Sequence, residues 1–168
     1  MHGDDIYYMV GAEADRARFM TRWLRRTGHH STNPRLAMIA YEIATSGDGS
    51  YSFTRFAVAR FGLNGGEQTL ELYWLEGYGG GLFLPFRDGT SGKATYGAGR
   101  YLLDTVKGAD LGGDLDPVTG RGTLVADLNF AYNPSCAYDP AWMCPLAPPG
   151  NTVAEPVAAG ELYPLRDG

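Results

Sequence analysis

Strand-like runs separated by glycine turns fill the middle of the chain and constrain its fold more than any other feature. Residues 51–61 are rich in aromatic and β-branched side chains, and residues 69–78 alternate between two faces. Between them, residues 63–66 read LNGG, which is the signal of a tight hairpin turn. Three glycines at 79–81 then precede a short apolar run at 82–86. This pattern predicts antiparallel strands joined by turns.

The composition supports the same fold class. The chain has 168 residues, of which 44% are hydrophobic, 24 are glycine and 10 are proline. This length allows one domain with its own core, and so many turn residues argue against a helical bundle. We therefore predict a single domain over residues 1–168, mainly β within the α+β class. Its architecture would be an antiparallel sandwich or a partly open barrel.

One helix is predicted at the N-terminus. Over residues 12–26, four apolar side chains recur with helical spacing on one face, and they are Phe19, Met20, Trp23 and Leu24. Gly28 is a suitable stop for this helix. We expect the helix to pack on the sheet.

The remaining segments add strands and loops to the prediction. Residues 36–44 are ambiguous between helix and strand, and their alternating apolar residues favour a strand. Two more strands are predicted at 101–106 and 123–130, with a glycine-rich surface loop at 107–122 between them. After Asn133 the chain is rich in proline and is predicted to be irregular.

Charge and hydropathy argue against several partners. The net charge is −5 and no basic patch runs through the body of the chain, so we expect no nucleic-acid partner. No apolar run approaches the roughly 20 residues that span a bilayer. The N-terminal sequence MHGDDIYYMV lacks the layout of a signal peptide. We therefore expect a cytoplasmic protein without a membrane partner.

Two segments hold most of the chemically useful residues. Residues 82–101 read LFLPFRDGTSGKATYGAGRY, and residues 127–151 read DLNFAYNPSCAYDPAWMCPLAPPGN. Arg87 and Arg100 in the first segment carry planar guanidinium groups that suit a carboxylate or a phosphate. We expect the two segments to face each other and to share a polar site for a small anionic molecule.

We assign predicted roles in both segments. The predicted catalytic residues are Asp88, Tyr96, Arg100 and Asp127. The predicted ligand-binding residues are Arg87, Thr90, Ser91, Tyr101, Asn129, Tyr132, Asn133 and Cys136. Asp88 or Asp127 would act as general base, and a tyrosine would orient the ligand or donate a proton. On an extended strand, Asp127 and Asn129 would share one face.

The Asp88 turn and Arg100 also have structural interpretations. Residues 88–92 can form a turn in which Asp and Ser bond backbone amides and glycine adopts positive φ. Arg100 can form a buried ion pair with Asp88 or Asp127, because buried charges are normally paired. The glycine spacing matches neither the P-loop nor the dinucleotide fingerprint.

Cys136 and Cys144 are the only cysteines, and their spacing is C-x7-C. Two buried thiols, a disulfide, and a reactive or metal-bound thiol all remain open from the sequence. The C-terminal half has no histidine, and no C-x2-C spacing occurs, so we predict no metal ligands. No G-x-S-x-G elbow surrounds Ser91. The sequence indicates no cofactor.

Three motifs carry a resemblance to a known family. PFRDGTSGKATYGAGRYL, DLNFAYNPSCAY and CPLAPPGN, followed by AAGE, resemble the prokaryotic domain of unknown function 1684 (DUF1684) family. The resemblance covers about residues 82–161, where several residue types recur at fixed spacings. It implies a family core and a shared site, but no known activity.

Two functions are consistent with these residues. In the first, a small-molecule site uses Asp, Arg and Tyr for binding and for acid–base catalysis. In the second, a non-catalytic module uses the same residues as an internal network, and its function lies at a partner surface, including that of a homo-oligomer. One observation distinguishes the two functions. The first predicts that Arg100, Asp88 and Asn129 line one solvent-accessible pocket. The second predicts that they form hydrogen bonds and ion pairs with each other in a network closed to solvent.

Overall fold

The computed structural model describes residues 6–10, 39–75, 81–104, 113–115 and 121–164. Within them lie eight strands: β1 (Ile6–Val10), β2 (Ile39–Ala44), β3 (Ser50–Leu63), β4 (Gly66–Leu75), β5 (Gly81–Phe86), β6 (Arg100–Leu103), β7 (Gly113–Leu115) and β8 (Arg121–Val125). The helix predicted over 12–26 lies outside the described residues.

The strands form one antiparallel sheet. Their order is β6-β5-β4-β3-β1-β8-β7, and β2 pairs with β3 beside β1. Each ladder between these strands is antiparallel. The outermost strands β6 and β7 do not pair with each other in the described part of the chain, so this sheet is open rather than closed into a barrel. The prediction of a mainly β, antiparallel fold is confirmed.

The long hairpin of β3 and β4 organises the sheet. Its turn has positive φ at both central residues, with 50° at Asn64 and 84° at Gly65. Two positive φ values give a turn whose twist matches that of the flanking strands, which is why the predicted hairpin forms here. β3 is long enough to pair with β4 on one edge and with both β1 and β2 on the other.

The sheet buries side chains on both faces. One face carries a large aliphatic core that includes Leu72, Leu84 and Phe86. The opposite face carries a smaller, mainly aromatic core that includes Phe53, Tyr73 and Phe83. Burial on both faces explains why all of β5 is buried and reads as a continuous apolar run.

Several predicted boundaries differ from the structure. The strand predicted at 123–130 is β8 and ends at Val125, after which Leu128–Phe130 forms a 3-10 helix. The predicted loop at 107–122 contains β7 and the start of β8. β1 is absent from the sequence prediction, because its five residues pair only with distant strands and carry no turn signal.

From Asn133 to Pro164 the chain is irregular, as predicted, apart from the 3-10 helix Ser135–Ala137, and backbone hydrogen bonds fasten it to the rest of the protein. The Arg87 amide donates to Asn151 O at 2.9 Å, and the Val153 amide donates to Arg87 O at 2.9 Å. Farther along, the Glu161 amide donates to Ala131 O at 2.8 Å. In the described residues, no helix has the length and apolar character needed to cross a membrane.

Candidate functional site

The Asp88 loop is an internally bonded turn that follows β5. Asp88 Oδ1 accepts from the Thr90 amide at 2.7 Å and from the Thr90 hydroxyl at 2.5 Å. Because the Thr90 proton is used in this way, the Thr95 hydroxyl donates to Thr90 Oγ1 at 2.8 Å. Ser91 Oγ accepts from the Asp88 amide at 3.1 Å. The conformation of the loop therefore accounts for both Thr90 and Ser91, which the sequence predicts to bind ligand.

Arg100 and Asp88 form a buried ion pair. Arg100 Nη2 lies 2.9 Å from Asp88 Oδ2, and both side chains are 1% exposed. The guanidinium also donates, at 2.6 to 3.1 Å, to the backbone carbonyl oxygens of Val157, Ala159 and Glu161. The Val157 amide in turn donates to Asp88 Oδ1 at 3.2 Å. The pair thus ties residues 157–162, which we call the C-terminal strap, to β6 and the Asp88 loop.

The two polar segments do adjoin. Tyr101 and Tyr132 exchange backbone hydrogen bonds, with N–O distances of 2.9 and 3.0 Å. Asn133 donates its amide to Glu161 Oε2 and its side-chain Nδ2 to Leu162 O, both at 2.8 Å. Arg100 and Asn133 therefore both bind the C-terminal strap. Both side chains, which the sequence assigns to a ligand site, bond to backbone carbonyl oxygens of the strap.

Asp127 and Asn129 lie apart from this network. Asp127 caps the 3-10 helix Leu128–Phe130, because its Oδ1 accepts from the Asn129 amide at 2.9 Å and from Asn129 Nδ2 at 2.8 Å. Asn129 is exposed. The expectation that both residues share one face of a strand is wrong, since Asp and Asn compete for local backbone amides and end the extended conformation here.

Tyr96 and Cys136, which the sequence assigns to the same site, are in contact. The Tyr96 hydroxyl donates to Cys136 Sγ at 3.6 Å, and the Cys136 amide donates to Cys144 Sγ at 3.3 Å. The Tyr96 ring stacks on Tyr163 with centroids 5.8 Å apart. Both cysteines are buried free thiols, so no disulfide joins them. Among the described residues, no group of three or more His, Cys, Asp or Glu could hold a metal ion.

Burial governs the protonation of Tyr96 and Cys144. Burial is the largest factor that raises the pKa of Tyr96 to about 12, and its hydrogen bond to Cys136 acts in the same direction. Burial likewise raises the pKa of the Cys144 thiol to about 11. Because the thiolate is the nucleophile and the metal ligand, a thiol that stays protonated at neutral pH is chemically quiet.

A row of six aromatic rings crosses the second face of the sheet, and the sequence reading misses it. Neighbouring centroids lie 4.8 to 6.3 Å apart along Tyr41, Tyr73, Phe53, Phe83, Tyr101 and Tyr132. Burial raises the pKa of Tyr101 and the pKa of Tyr132. For Tyr132, the hydrogen bond with Asp104 raises the pKa further. Alternation along each strand indicates which rings share a face of the sheet, but only the register between strands brings them into one row.

The sequence analysis also did not assign a role to Asn151, whose side chain connects two strands. Its side chain is fully buried and lies between β4 and β5. Nδ2 donates to Glu71 O at 2.9 Å and to Pro85 O at 2.7 Å, while Oδ1 accepts from the Glu71 amide at 2.9 Å. Its position at the end of the CPLAPPGN motif is the signal that could have identified it.

Arg87 precedes Asp88, and in the described residues its hydrogen bonds come from its backbone alone. Its side chain is partly exposed, and its buried Nε has no hydrogen-bond partner. No carboxylate in the described residues forms an ion pair with it. Gly99 lies opposite, where a Cβ would come within 3.2 Å of Arg87 Cγ. The absence of a side chain at Gly99 therefore leaves room for the arginine stem.

A comparison with known protein families identifies the family of this chain. A family profile described as "Protein of unknown function (DUF1684)" matches residues 26–162. The chain belongs to the DUF1684 family. The match begins well before the C-terminal half on which the resemblance in the sequence rests, so the DUF1684 region includes β2 to β5 as well as the Asp88 loop and the C-terminal strap.

A solved structure resembles this DUF1684 protein over most of its length. It is the solution NMR structure of the uncharacterized protein from gene locus rrnAC0354 of Haloarcula marismortui, with 27% identity and a TM-score of 0.58. The alignment covers 94% of this chain and 69% of that chain. That protein is described as uncharacterized, so the likeness names no activity. No curated protein matches the chain.

Proposed function

We propose that the chain is a non-catalytic binding module in which the Asp88–Arg100 pair is an internal frame and function lies at the surface. The ion pair is the observation that carries this proposal. A general base must reach the proton that it abstracts. Asp88 Oδ1 already accepts from Thr90 and Val157, and Oδ2 accepts from Arg100. With 1% of its side chain exposed, Asp88 offers a substrate no free oxygen.

The other predicted acid–base residues support the same proposal. Asp127 is occupied as a helix cap, and the Tyr96 hydroxyl, with its pKa raised to about 12, is a poor proton donor at neutral pH. The Tyr101 hydroxyl donates to Pro145 O. These side chains bond to residues that follow β8, so their joint role is to hold that segment in place.

Amide hydrogen exchange on Asp88→Asn tests the frame. The Val157 and Glu161 amides lie on the strap, with acceptors at Asp88 Oδ1 and Ala131 O. We expect both amides to lose protection by at least about tenfold in the variant, because removing one partner of a buried pair leaves the other charge uncompensated. Asn129→Ala, an exposed polar change, is the control. Unchanged protection at both amides in a folded Asp88→Asn variant would contradict the proposal.

Arg87 supports a second candidate function, which is the binding of a small anion. A partly buried guanidinium without a counter-ion is unfavourable, and a carboxylate or phosphate would relieve this through paired N–H bonds. The Arg87 backbone is fixed on both sides by Asn151 O and the Val153 amide, so the position of the side-chain stem is defined. Anion binding at Arg87 leaves the sealed Arg100 pair undisturbed.

Thermal unfolding in inorganic phosphate and in acetate tests the anion site. We expect either anion to raise the melting temperature of the unmodified protein and not that of Arg87→Gln, since binding to the folded state alone is stabilising. Arg60→Gln removes an exposed arginine whose Nη1 lies 3.3 Å from Glu67 Oε1, and it should keep the full response. An equal response from Arg87→Gln and the unmodified protein would rule out Arg87 as the site.

A further inference from the structure

Residues 138–143 form a surface loop, here called the Trp142 loop, that presents large apolar side chains to solvent. Tyr138, Trp142 and Met143 are 57%, 60% and 55% exposed. Leu162, 61% exposed, lies near Tyr138, because Asn133 Nδ2 lies 3.4 Å from the Tyr138 hydroxyl and 2.8 Å from Leu162 O. Single exposed apolar residues are ordinary, whereas exposed apolar groups are a feature of interaction surfaces.

The Trp142 loop is held in shape by its own hydrogen bonds. The Ala141 amide donates to Asp139 Oδ1 at 2.9 Å, and the Trp142 amide donates to Asp139 O at 3.1 Å. The Ser46 hydroxyl donates to Trp142 O at 3.0 Å and accepts from the Cys144 amide at 3.1 Å, which anchors the loop to the end of β2. A loop ordered in advance loses little conformational entropy on binding.

The sequence segments that form and anchor the loop carry charged residues of one sign. Residues 122–165 contain no Lys, Arg or His, and their acidic residues are Asp127, Asp139, Glu155 and Glu161. Residues 41–50, which anchor the loop, add Glu42 and Asp48 and no basic residue. A second copy of this surface, or an anionic membrane, would place like charges opposite each other, whereas a basic partner would be attracted.

We propose that the Trp142 loop binds a protein segment in which aromatic or aliphatic side chains are flanked by lysine or arginine. Trp142 and Met143 supply the apolar contact, in keeping with the enrichment of tryptophan and methionine at interfaces. Asp139 and Glu161 supply the field that selects basic flanks. This inference rests on the proposed function, because it names the partner chemistry of the binding module.

An NMR titration of the full chain tests the partner chemistry. The probe is a synthetic peptide of alternating lysine pairs and phenylalanine–leucine pairs, and the matched control replaces every lysine by glutamate. We expect the lysine peptide to shift the amide resonances of residues 138–143, with affinity that falls as salt is raised. Equal binding of the glutamate peptide, or shifts confined to other surfaces, would overturn the proposal.

Substitutions in the Trp142 loop test whether the lysine peptide binds there. The double change Trp142→Ser and Met143→Ser should weaken the lysine peptide by about tenfold or more, as expected for central apolar contacts. Phe130→Ser, which removes a 59% exposed side chain outside the loop, should leave the affinity unchanged. Equal affinity of the loop variant and the unmodified protein would overturn the assignment.

Sedimentation without peptide separates the partner from a second copy of the chain. We expect a monomer over the concentration range of the titration. A concentration-dependent dimer that the Trp142→Ser and Met143→Ser change abolishes would make a second copy the occupant and overturn the basic partner. None of these outcomes affects hydrogen exchange in Asp88→Asn, so failure here is distinguishable from failure of the internal frame.

Discussion

The side chain of Asn151 takes the place of a missing backbone group opposite Glu71. In the register of β4 and β5, where Tyr73 pairs with Phe83, Glu71 would face Pro85. Proline has no amide hydrogen, so it cannot donate to Glu71 O. Asn151 donates to Glu71 O and accepts from the Glu71 amide, both at 2.9 Å, and also donates to Pro85 O at 2.7 Å. A residue 80 positions away thereby completes the pairing of two strands.

Asn151→Ala should therefore lower the free energy of unfolding by about 3 kcal/mol or more, because it leaves several buried backbone groups unsatisfied. Urea denaturation measures the loss. Asn129→Ala, which removes an exposed amide, is the matched control and should change stability by less than about 0.5 kcal/mol. A loss below about 1 kcal/mol for Asn151→Ala would show that water replaces the side chain.

The Arg100–Asp88 pair should show strong coupling in a double-mutant cycle. Arg100→Met and Asp88→Asn should each lower the free energy of unfolding by about 3 to 5 kcal/mol, since each leaves a buried partner uncompensated. The double variant should lose clearly less than the sum of the two. Arg60→Met disrupts the exposed pair with Glu67 and should lose less than about 1 kcal/mol. Additive losses in the cycle would argue against direct pairing.

Gly160 should not accept a side chain. It has φ of 82°, and a Cβ there would lie 2.8 Å from Ala131 Cβ and still closer to Ala131 O. Gly49 has φ of 129° with nothing within 4 Å of its Cβ position, so a substitution there measures the cost of the backbone conformation without a steric clash. We expect Gly49→Ala to cost about 1 kcal/mol and Gly160→Ala about 3 kcal/mol. Equal losses in thermal or urea unfolding would mean that the strap moves away freely.

The Cys144 thiol should make stability depend on alkaline pH. Burial raises its pKa from 9.0 to about 11, so the folded protein holds the proton to higher pH than the unfolded chain. Its contribution is therefore complete below pH 9 and is lost as pH rises through about 11. Tyr96 acts in the same direction, with its pKa raised to about 12.

Urea midpoints measured from pH 8 to 11 check this dependence. Cys144→Ala removes the contribution of the thiol, so its urea midpoint should fall less steeply with pH than that of the unmodified protein. Ser135→Ala, at an exposed position next to Cys136, should not change this slope. Iodoacetamide should also label Cys144 slowly at pH 8 in the folded state. Rapid labelling without unfolding would contradict a buried, protonated thiol.

Much of the sheet is predictable because its signals are local. Positive φ at Asn64 and Gly65 follows from the Asn-Gly pair, and the alternation in β4 marks which side chains lie on each face. The candidate site is less predictable. The reading of Asp127 and Asn129 as strand neighbours fails because an Asp side chain caps the backbone locally, a competition that alternation does not reveal.

The amino-acid sequence by itself determined the antiparallel β class, the hairpin at Asn64–Gly65 and the two polar segments, because turn chemistry and strand periodicity act over a few residues. Only the tertiary structure decided what those polar residues do. Asp88 meets Val157, and Asn151 meets Glu71, across 69 and 80 positions of chain. Such partners are selected by the packing of the whole sheet. Burial encloses the Arg100–Asp88 pair, whereas Arg87 stays partly buried and the Trp142 loop is exposed.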